Sequence, residues 1–413
     1  MSTQLKKETL DDESIQGNSR RLTIVIGSES FAPNISGVAV AAEKLACNLF
    51  KSGHRVYVFA PSRSFRTGRD NSFTDYTVIR FKSFRNPFRK GFRIAFPCGK
   101  EIRNALKEIG PDIIHLHDPG SICSALKKAA KADRIPIVIT NHFNLDYVLS
   151  YFRWLAPLHP WMKKRLTNYL VRFYNDCDCV TCPTDTIKKE LESWGVASPV
   201  VEISNGVDLE RFYSYSSTTT VRHKYGLPSL PIVLYVGRID KDKSLEVLIR
   251  AIPEVLRQLD AHFLFVGDGD EMGKLKSLAE NLGVIRKITF LGWIDHYSPD
   301  LPQLYQLASV FAIPSSIEAQ SIVTLEALAS GLPVVGADGG ALPELVITGE
   351  NGYLFTPGDS LAMAEGIVRI LRDRDMSESM RRKSLEIVSE HRIHESFARI
   401  LNVYEEVLSN FSK

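Results

Sequence analysis

Two carboxylates eight positions apart mark the most chemically pointed segment of the chain. In PSSIEAQSIVTLEALASGLPVV (314–335), Glu318 falls in a loop after an apolar strand and Glu326 inside the helix that follows. Gln320, Ser321, Ile322 and Val323 open that helix. The first N–H groups of a helix have no partner within it and favour negative charge, so a diphosphate or an array of sugar hydroxyls fits there. By spacing alone, Glu326 reads equally as a solvated helix residue and Glu318 as an ordinary loop carboxylate.

A second group is YVGRIDKDKSLEVLIRA (235–251), where Arg238 follows a strand and Lys243 precedes a helix. Each cation at about 4 Å from a diphosphate contributes on the order of 4 kcal/mol at an effective dielectric near 20, before desolvation. Such a pair can hold negative charge as a phosphate leaves; taken singly, it is also what a charged loop looks like. Gly37 stands at the start of a third helix, where a missing Cβ allows backbone to approach a phosphate. Asp118 and His142 each fall just past a strand, in DIIHLHDPGS and PIVITNHFNLDY. They suit a substrate hydroxyl or a developing oxocarbenium ion, and equally a capping Asp and a surface His.

Other signals carry less. Gly267, Gly269 and Gly273 are spaced one residue too widely for a dinucleotide fingerprint, and no phosphate loop or nucleophile elbow occurs. Asp176-x-Asp178 and Asp268-x-Asp270 resemble metal carboxylates but fall at a strand start and in a Gly-rich turn. Cys177, Cys179 and Cys182 lack the paired spacing and fourth ligand of a zinc site and read as buried strand thiols. No metal is expected.

These residues need positioning elements. LTIVIG (22–27), RVYVFA, DIIHLH, PIVIT and CVTCP read as continuous apolar strands alternating with helical patterns, as parallel strands covered on both faces do. The pattern breaks at Ser204-Asn205-Gly206-Val207-Asp208 and restarts with PIVLYVG, HFLFVG, KITFLG, VFAIP and LPVVGA. The prediction is two doubly wound α/β domains, with functional residues beyond the carboxyl ends of the strands and a substrate cleft between.

At 413 residues with 24% charged and 44% hydrophobic residues, the chain is of globular composition. A net charge of +3 argues against a nucleic-acid binder. No apolar run reaches the length of a membrane-spanning helix. Residues 1–21 read as a flexible polar tail, not a secretion signal, and unpaired thiols suit the cytoplasm.

Together the segments resemble the retaining glycosyltransferases of family GT4, the glycosyl transferases group 1, from about residue 22 onward. The E-x7-E motif is Glu318 to Glu326; the phosphate-binding Arg and Lys match Arg238 and Lys243. Ser36-Gly37 matches the second position of the family's Gly-Gly loop, and Thr140-Asn141-His142 its T-x-H histidine. Asn205-Gly206-Val207-Asp208 looks like the entry to the nucleotide domain, and Gly339-Gly340-Ala341-Leu342-Pro343-Glu344 like the segment after the last phosphate-side strand. The resemblance implies a GT-B fold, two Rossmann-like domains facing across a cleft. An acceptor domain would span 22–204 and a nucleotide-sugar domain 205–385, with a helix at 386–413 packing back on the first. It implies hexose transfer from a nucleotide diphosphate sugar, a UDP-sugar favoured, with no cofactor or metal. Glu326 would hold ribose hydroxyls. Glu318 and the amides of Gln320, Ser321, Ile322 and Val323 would bind sugar and diphosphate, with Gly37 opposite. Arg238 and Lys243 would stabilise the leaving group, His142 touch the donor sugar, and Asp118 orient the acceptor.

Charge bears on the acceptor. Residues 80–100 hold seven bases and no acid, and 147–175 hold five bases and no acid, so the remainder of the chain is net negative. Phe81, Phe84, Phe88, Phe92 and Phe96 punctuate the first stretch. Tyr147, Tyr151, Phe152, Trp154, Trp161, Tyr169, Phe173 and Tyr174 punctuate the second. Basic aromatic surfaces suit anionic lipid headgroups, and rings at such spacing also serve as core. Similarity to bacterial glycerolipid glucosyltransferases points the same way. The leading expectation is a peripheral enzyme on the inner face of the cell membrane that glycosylates a lipid such as diacylglycerol. The alternatives are a soluble enzyme using GDP-mannose or acting on a sugar phosphate or oligosaccharide, and a catalytically silent sugar-nucleotide-binding protein.

Overall fold

The computed structural model describes residues 20–33, 36–73, 75–86, 93–142, 145, 157–213 and 218–411. Phe88, Phe92, Tyr147, Tyr151, Phe152, Trp154 and the tail 1–19 lie outside them.

Sixteen strands are seen among the described residues. The first ten are β1 Thr23–Gly27, β2 Arg55–Pro61, β3 Gly68–Asp70, β4 Thr77–Phe81, β5 Ser83–Arg85, β6 Arg93–Ala95, β7 Ile113–Leu116, β8 Ile137–Thr140, β9 Cys179–Cys182 and β10 Val200–Glu202. Eight of them form one sheet in the order β10-β9-β8-β7-β1-β2-β4-β3. Every pair is parallel except the edge pair β3–β4. The second sheet is β11 Ile232–Val236, β12 His262–Val266, β13 Ile288–Gly292, β14 Val310–Ile313, β15 Val334–Ala337 and β16 Gly352–Phe355. Its order is β13-β12-β11-β14-β15-β16, all parallel.

The chain reverses direction across each sheet once, between β1 and β7 and between β11 and β14. Neighbouring loops diverge at such a point and leave a crevice at the carboxyl edge. The loops after β1, β7 and β8 carry Gly37, Asp118 and His142. Those after β11 and β14 carry Arg238, Lys243 and Glu318. Doubly wound α/β architecture therefore holds for both halves. The strands β3 and β4, the β5–β6 hairpin, β10 and β16 were not anticipated; all but β4 are only three or four residues long, too short for hydrophobic periodicity to register, and Arg80 interrupts the apolar run of the five-residue β4.

Strands β1, β7, β8, β9, β11 and β12 are almost wholly buried, which accounts for their unbroken apolar runs. Cys177, Cys179 and Cys182 are buried free thiols. Capping fixes the helices that frame the crevice. Ser36 accepts from Ala39 N, Thr184 from Ile187 N and Ser321 from Thr324 N.

The helix Ile393–Phe411 packs on the first sheet, where Phe397, Val403, Tyr404 and Val407 join Leu22, Ile24, Val56 and Val138 in one core. The chain thus passes between the halves twice. The two crossings hydrogen-bond to each other: Val207 N donates to His391 O at 2.8 Å, and Ile393 N to Val207 O at 3.1 Å. The helix Arg374–Val388, before the second crossing, packs with the second half.

Candidate functional site

A cavity of about 720 Å³ lies between the two sheets. Gly37, Asp118 and His142 line it from the first half. Arg238, Lys243, Glu318, Gln320, Ser321, Ile322, Val323 and Glu326 line it from the second. All eleven residues singled out in the sequence share this one space. An added Cβ on Gly37 would sit 3.9 Å from Ile322 Cδ1, so the openings of the two facing helices nearly touch.

The cations are held by acids. Arg238 pairs with Asp240 and with Asp242, the latter at 2.8 Å. Lys243 Nζ meets Glu318 Oε1 at 2.7 Å and Asp242 at 3.7 Å. These two cations and three carboxylates carry one formal net negative charge, so the protein itself already neutralises both cations. An arriving diphosphate would compete with Glu318 for Lys243.

The Glu318 loop is itself braced. Ala341 N donates to Glu318 O at 2.8 Å. Gly340 has φ +57°, and a Cβ there would come within 2.5 Å of the same oxygen, so only glycine fits. Beyond the loop, Thr184 Oγ1 donates to Ala319 O at 3.0 Å, and Glu344 accepts from Thr186 N at 2.7 Å. Gln320 Oε1 accepts from Asn205 N at 2.7 Å, so its side chain is tied to the first crossing and its backbone is the part free for a ligand.

Glu326 is buried, which overturns the reading of a solvated helix residue. Oε2 accepts from Tyr305 at 2.9 Å, and His296 Nδ1 lies 3.5 Å from Oε1. Burial raises its carboxyl, while Lys44 on the facing first-half helix and Arg211 oppose the rise. Burial, with Lys44 and Arg211, lowers His296 to about 3, so that ring is neutral. Glu326 Oε1 has no hydrogen-bond partner among the described residues, leaving a buried acceptor at the cavity wall.

His142 is half-buried and shares a 3.1 Å hydrogen bond with His117 Nδ1. The two rings stack at 5.3 Å, and His117 stacks on His115 at 4.8 Å. His115 Nδ1 meets the Tyr404 hydroxyl at 2.6 Å, so the helix Ile393–Phe411 buttresses the histidine row. Burial lowers His142 to about 4, and it too is neutral near pH 7. The reading of an isolated surface His falls.

Sequence reasoning missed Glu29. Its backbone N donates to Asp118 Oδ2 at 2.7 Å, and its Oε1 accepts from Ser121 Oγ at 2.9 Å and from Ile122 N. A Cβ on Gly120 would lie 2.0 Å from Glu29 Cγ, so that glycine makes room for the carboxylate. Burial, reinforced by Asp118, raises Glu29 to about 7. Asp118 is raised as well, by burial. The pair forms the first-half wall opposite Glu318. Asp118 also accepts from Gly120 N at 2.9 Å, a local turn bond of the capping kind considered for it. Lys44, Arg211, His296 and Tyr305 were missed too; nothing in their local sequence marks them, because only the tertiary fold brings them to Glu326.

The basic aromatic stretches divide. Phe81, Phe173 and Tyr174 are core. Phe84, Trp161 and Tyr169 are exposed, as are Lys163, Lys164, Arg165 and Arg172. Among the described residues no helix is long and apolar enough to cross a membrane.

Residues 35–211 match the model for Glycosyltransferase Family 4, and residues 230–373 that for Glycosyl transferases group 1. A glycosyltransferase of Methanocaldococcus jannaschii is 32% identical, over 90% of this chain and 94% of its own. The alpha-monoglucosyldiacylglycerol synthase of Acholeplasma laidlawii is 29% identical over 82% and 86%. The N-acetyl-alpha-D-glucosaminyl L-malate synthase of Bacillus anthracis is 26% identical over 91% and 95%. The sucrose-phosphate synthase structure from Thermosynechococcus elongatus superposes with a TM-score of 0.77 at 21% identity, over 94% of this chain and all of that one. The fold is GT-B.

Proposed function

This chain belongs to the group 1, family 4 glycosyltransferases, and we propose that it transfers a hexose from a UDP-sugar to a lipid hydroxyl such as that of diacylglycerol. Configuration is retained and no metal takes part. The observation that carries this reading is the pairing of Lys243 with Glu318 beside the opening of the helix Ile322–Ala329, facing His142 and Asp118 across one cavity.

Donor binding draws on the second half. Glu326 Oε1 accepts a ribose hydroxyl. The amides of Gln320, Ser321, Ile322 and Val323 receive the diphosphate, and Glu318 the sugar. The bond from the anomeric carbon to the β-phosphate oxygen breaks as the acceptor oxygen bonds to the same face of that carbon. The acceptor proton passes to the departing diphosphate oxygen. Arg238 and Lys243 stabilise the charge that develops there. Neutral His142 contacts the sugar without adding positive charge beside the oxocarbenium-like carbon. Asp118 orients the acceptor.

Lipid as acceptor is supported by the diacylglycerol-glucosylating relative and by the exposed bases and rings of His159–Asn175. The setting is then the inner membrane face. A second reading, transfer to a soluble acceptor, draws on the relative named for malate. The deciding experiment offers UDP-, GDP- and ADP-sugars with diacylglycerol in mixed micelles, a hexose phosphate or an oligosaccharide. UDP-hexose with diacylglycerol is expected to give glycolipid. Transfer only to a soluble acceptor would overturn the lipid assignment, and binding without turnover the catalytic one.

A further inference from the structure

A second cavity, of about 420 Å³, lies away from the donor residues, between the end of β2, β3 and β4. Its charged lining is Arg63, Arg66, Arg69, Arg80 and a single acid, Asp70. Asp70 is already taken: it accepts from Arg80 Nε at 2.9 Å and from Ser72 Oγ at 2.6 Å. Arg80 is fixed further, bonding Ala32 O and lying 5.7 Å over both Phe31 and Phe73. Arg63, Arg66 and Arg69 are exposed and make no ion pair among the described residues. The lining therefore carries three surplus positive charges around a space large enough for a small polar group, with Ser62, Ser64 and Thr67 supplying hydroxyls.

Guanidinium groups gathered without counter-charge repel one another. Burial depresses Arg80, with Arg63 adding to it; burial and then Arg85 depress Arg93 of the β5–β6 hairpin, with Arg63 the smallest contributor. The same loop carries Phe65, which at 71% exposure is the barest large apolar side chain described. Phe65 packs against Phe96 in a tilted ring pair at 5.8 Å, and Phe96 against Phe84 likewise at 5.2 Å. An outward ring between arginines meets a surface that is apolar within and phosphate-rich at its boundary.

We propose that this cavity is a phosphate-binding site in which Arg63, Arg66 and Arg69 grip one phosphate group, that of an anionic glycerophospholipid or of a free phosphate ester, separate from both donor and acceptor. Guanidinium is suited to this because its planar fork offers paired donors to phosphate oxygens. The phosphate neutralises the surplus charge and leaves Arg80–Asp70 intact.

The test uses the full chain, the triple variant R63S/R66S/R69S, and a control that removes equal charge from the same half outside the basic aromatic stretches, K51S/K107S/K128S. All six positions are exposed, and none lies in the donor site. One arm measures co-sedimentation with phosphatidylcholine vesicles, with and without phosphatidylglycerol, at fixed salt. The other measures calorimetric binding of inorganic phosphate and glycerol 3-phosphate. If the source is lipid, the pocket triple loses about 10- to 100-fold in partition onto phosphatidylglycerol vesicles beyond the loss in the control. If the source is soluble, the wild type binds a phosphate ester and the pocket triple does not. The proposal is overturned if the two triples lose vesicle binding equally and the wild type takes up neither soluble phosphate. UDP binding should be unchanged in both triples, so failure here is separable from failure of the assigned donor site.

Discussion

Lys243 and Glu318, seventy-five residues apart, meet at 2.7 Å on the wall of the interdomain cavity. The cation comes from the loop after β11 and the carboxylate from the loop after β14, the two strands flanking the crevice of the second sheet. Both side chains are largely shielded, at 17% and 12% exposure. The pair holds the cation in place where an arriving anion can exchange for the carboxylate.

Lys243→Ala is expected to lower transfer by about 100- to 1000-fold, the range for losing one preorganised stabiliser of developing charge. Its thermal midpoint should fall modestly, because the shielded Glu318 carboxylate loses its 2.7 Å partner. Initial rates of UDP release and a melting curve check both; unchanged turnover would remove Lys243 from the leaving-group role.

Glu326→Ala removes a buried acceptor and leaves the Tyr305 hydroxyl only its long 3.4 Å bond to Val323 O. We expect about 1–3 kcal/mol of lost stability from the weakened pairing of that buried hydroxyl, and roughly tenfold weaker UDP binding. Tyr305→Phe should cost stability while leaving the ribose contact in place. Denaturant titration and calorimetry with UDP separate the two effects.

Glu29 gives the protein a pH dependence of defined sign. Its folded value of about 7 lies above the ordinary 4.5, so the folded state holds an extra proton between those values. The stability this proton brings is complete below the unfolded value and is lost as pH rises through the folded one. The facing groups leave Asp118 as the charge it feels most: Cys98 and Cys123 are raised and His142 is neutral. Glu29→Gln keeps an acceptor for Ser121 and Ile122 and removes the titration. The variant should match the wild type at about pH 5 and melt higher at about pH 8. Parallel melting curves over that range would refute the assignment.

Gly340→Ala places a Cβ against Glu318 O at a φ that alanine resists. A cost of about 1–3 kcal/mol is expected, with loss of transfer as the Glu318 loop shifts. Ala341→Gly, one residue on, keeps the loop conformation and serves as the comparison.

The strands β1, β2, β7, β8, β9, β11, β12, β14 and β15 were legible because burial on both faces leaves an unbroken apolar run. Glu318, Arg238 and Lys243 were legible because strand-end loops are where such residues collect. Their mutual neutralisation was not: Asp240 and Asp242 lie in plain view beside Arg238, yet pairing depends on how the loop folds. Glu29 and Lys44 sit in segments whose pattern serves a turn and an amphipathic helix. Their roles come from what the fold sets opposite them. Phe81 and Phe84 show the same limit, three residues apart, one core and one surface.

The helix Ile393–Phe411 has a consequence for how the protein is made. The chain is synthesised from its first half onward, yet Leu22, Ile24 and Val56 gain Phe397, Tyr404 and Val407 as neighbours only when that helix has emerged. The half translated second contains its own sheet and covering helices and can close first. The half translated first keeps one apolar face uncovered until that helix follows it.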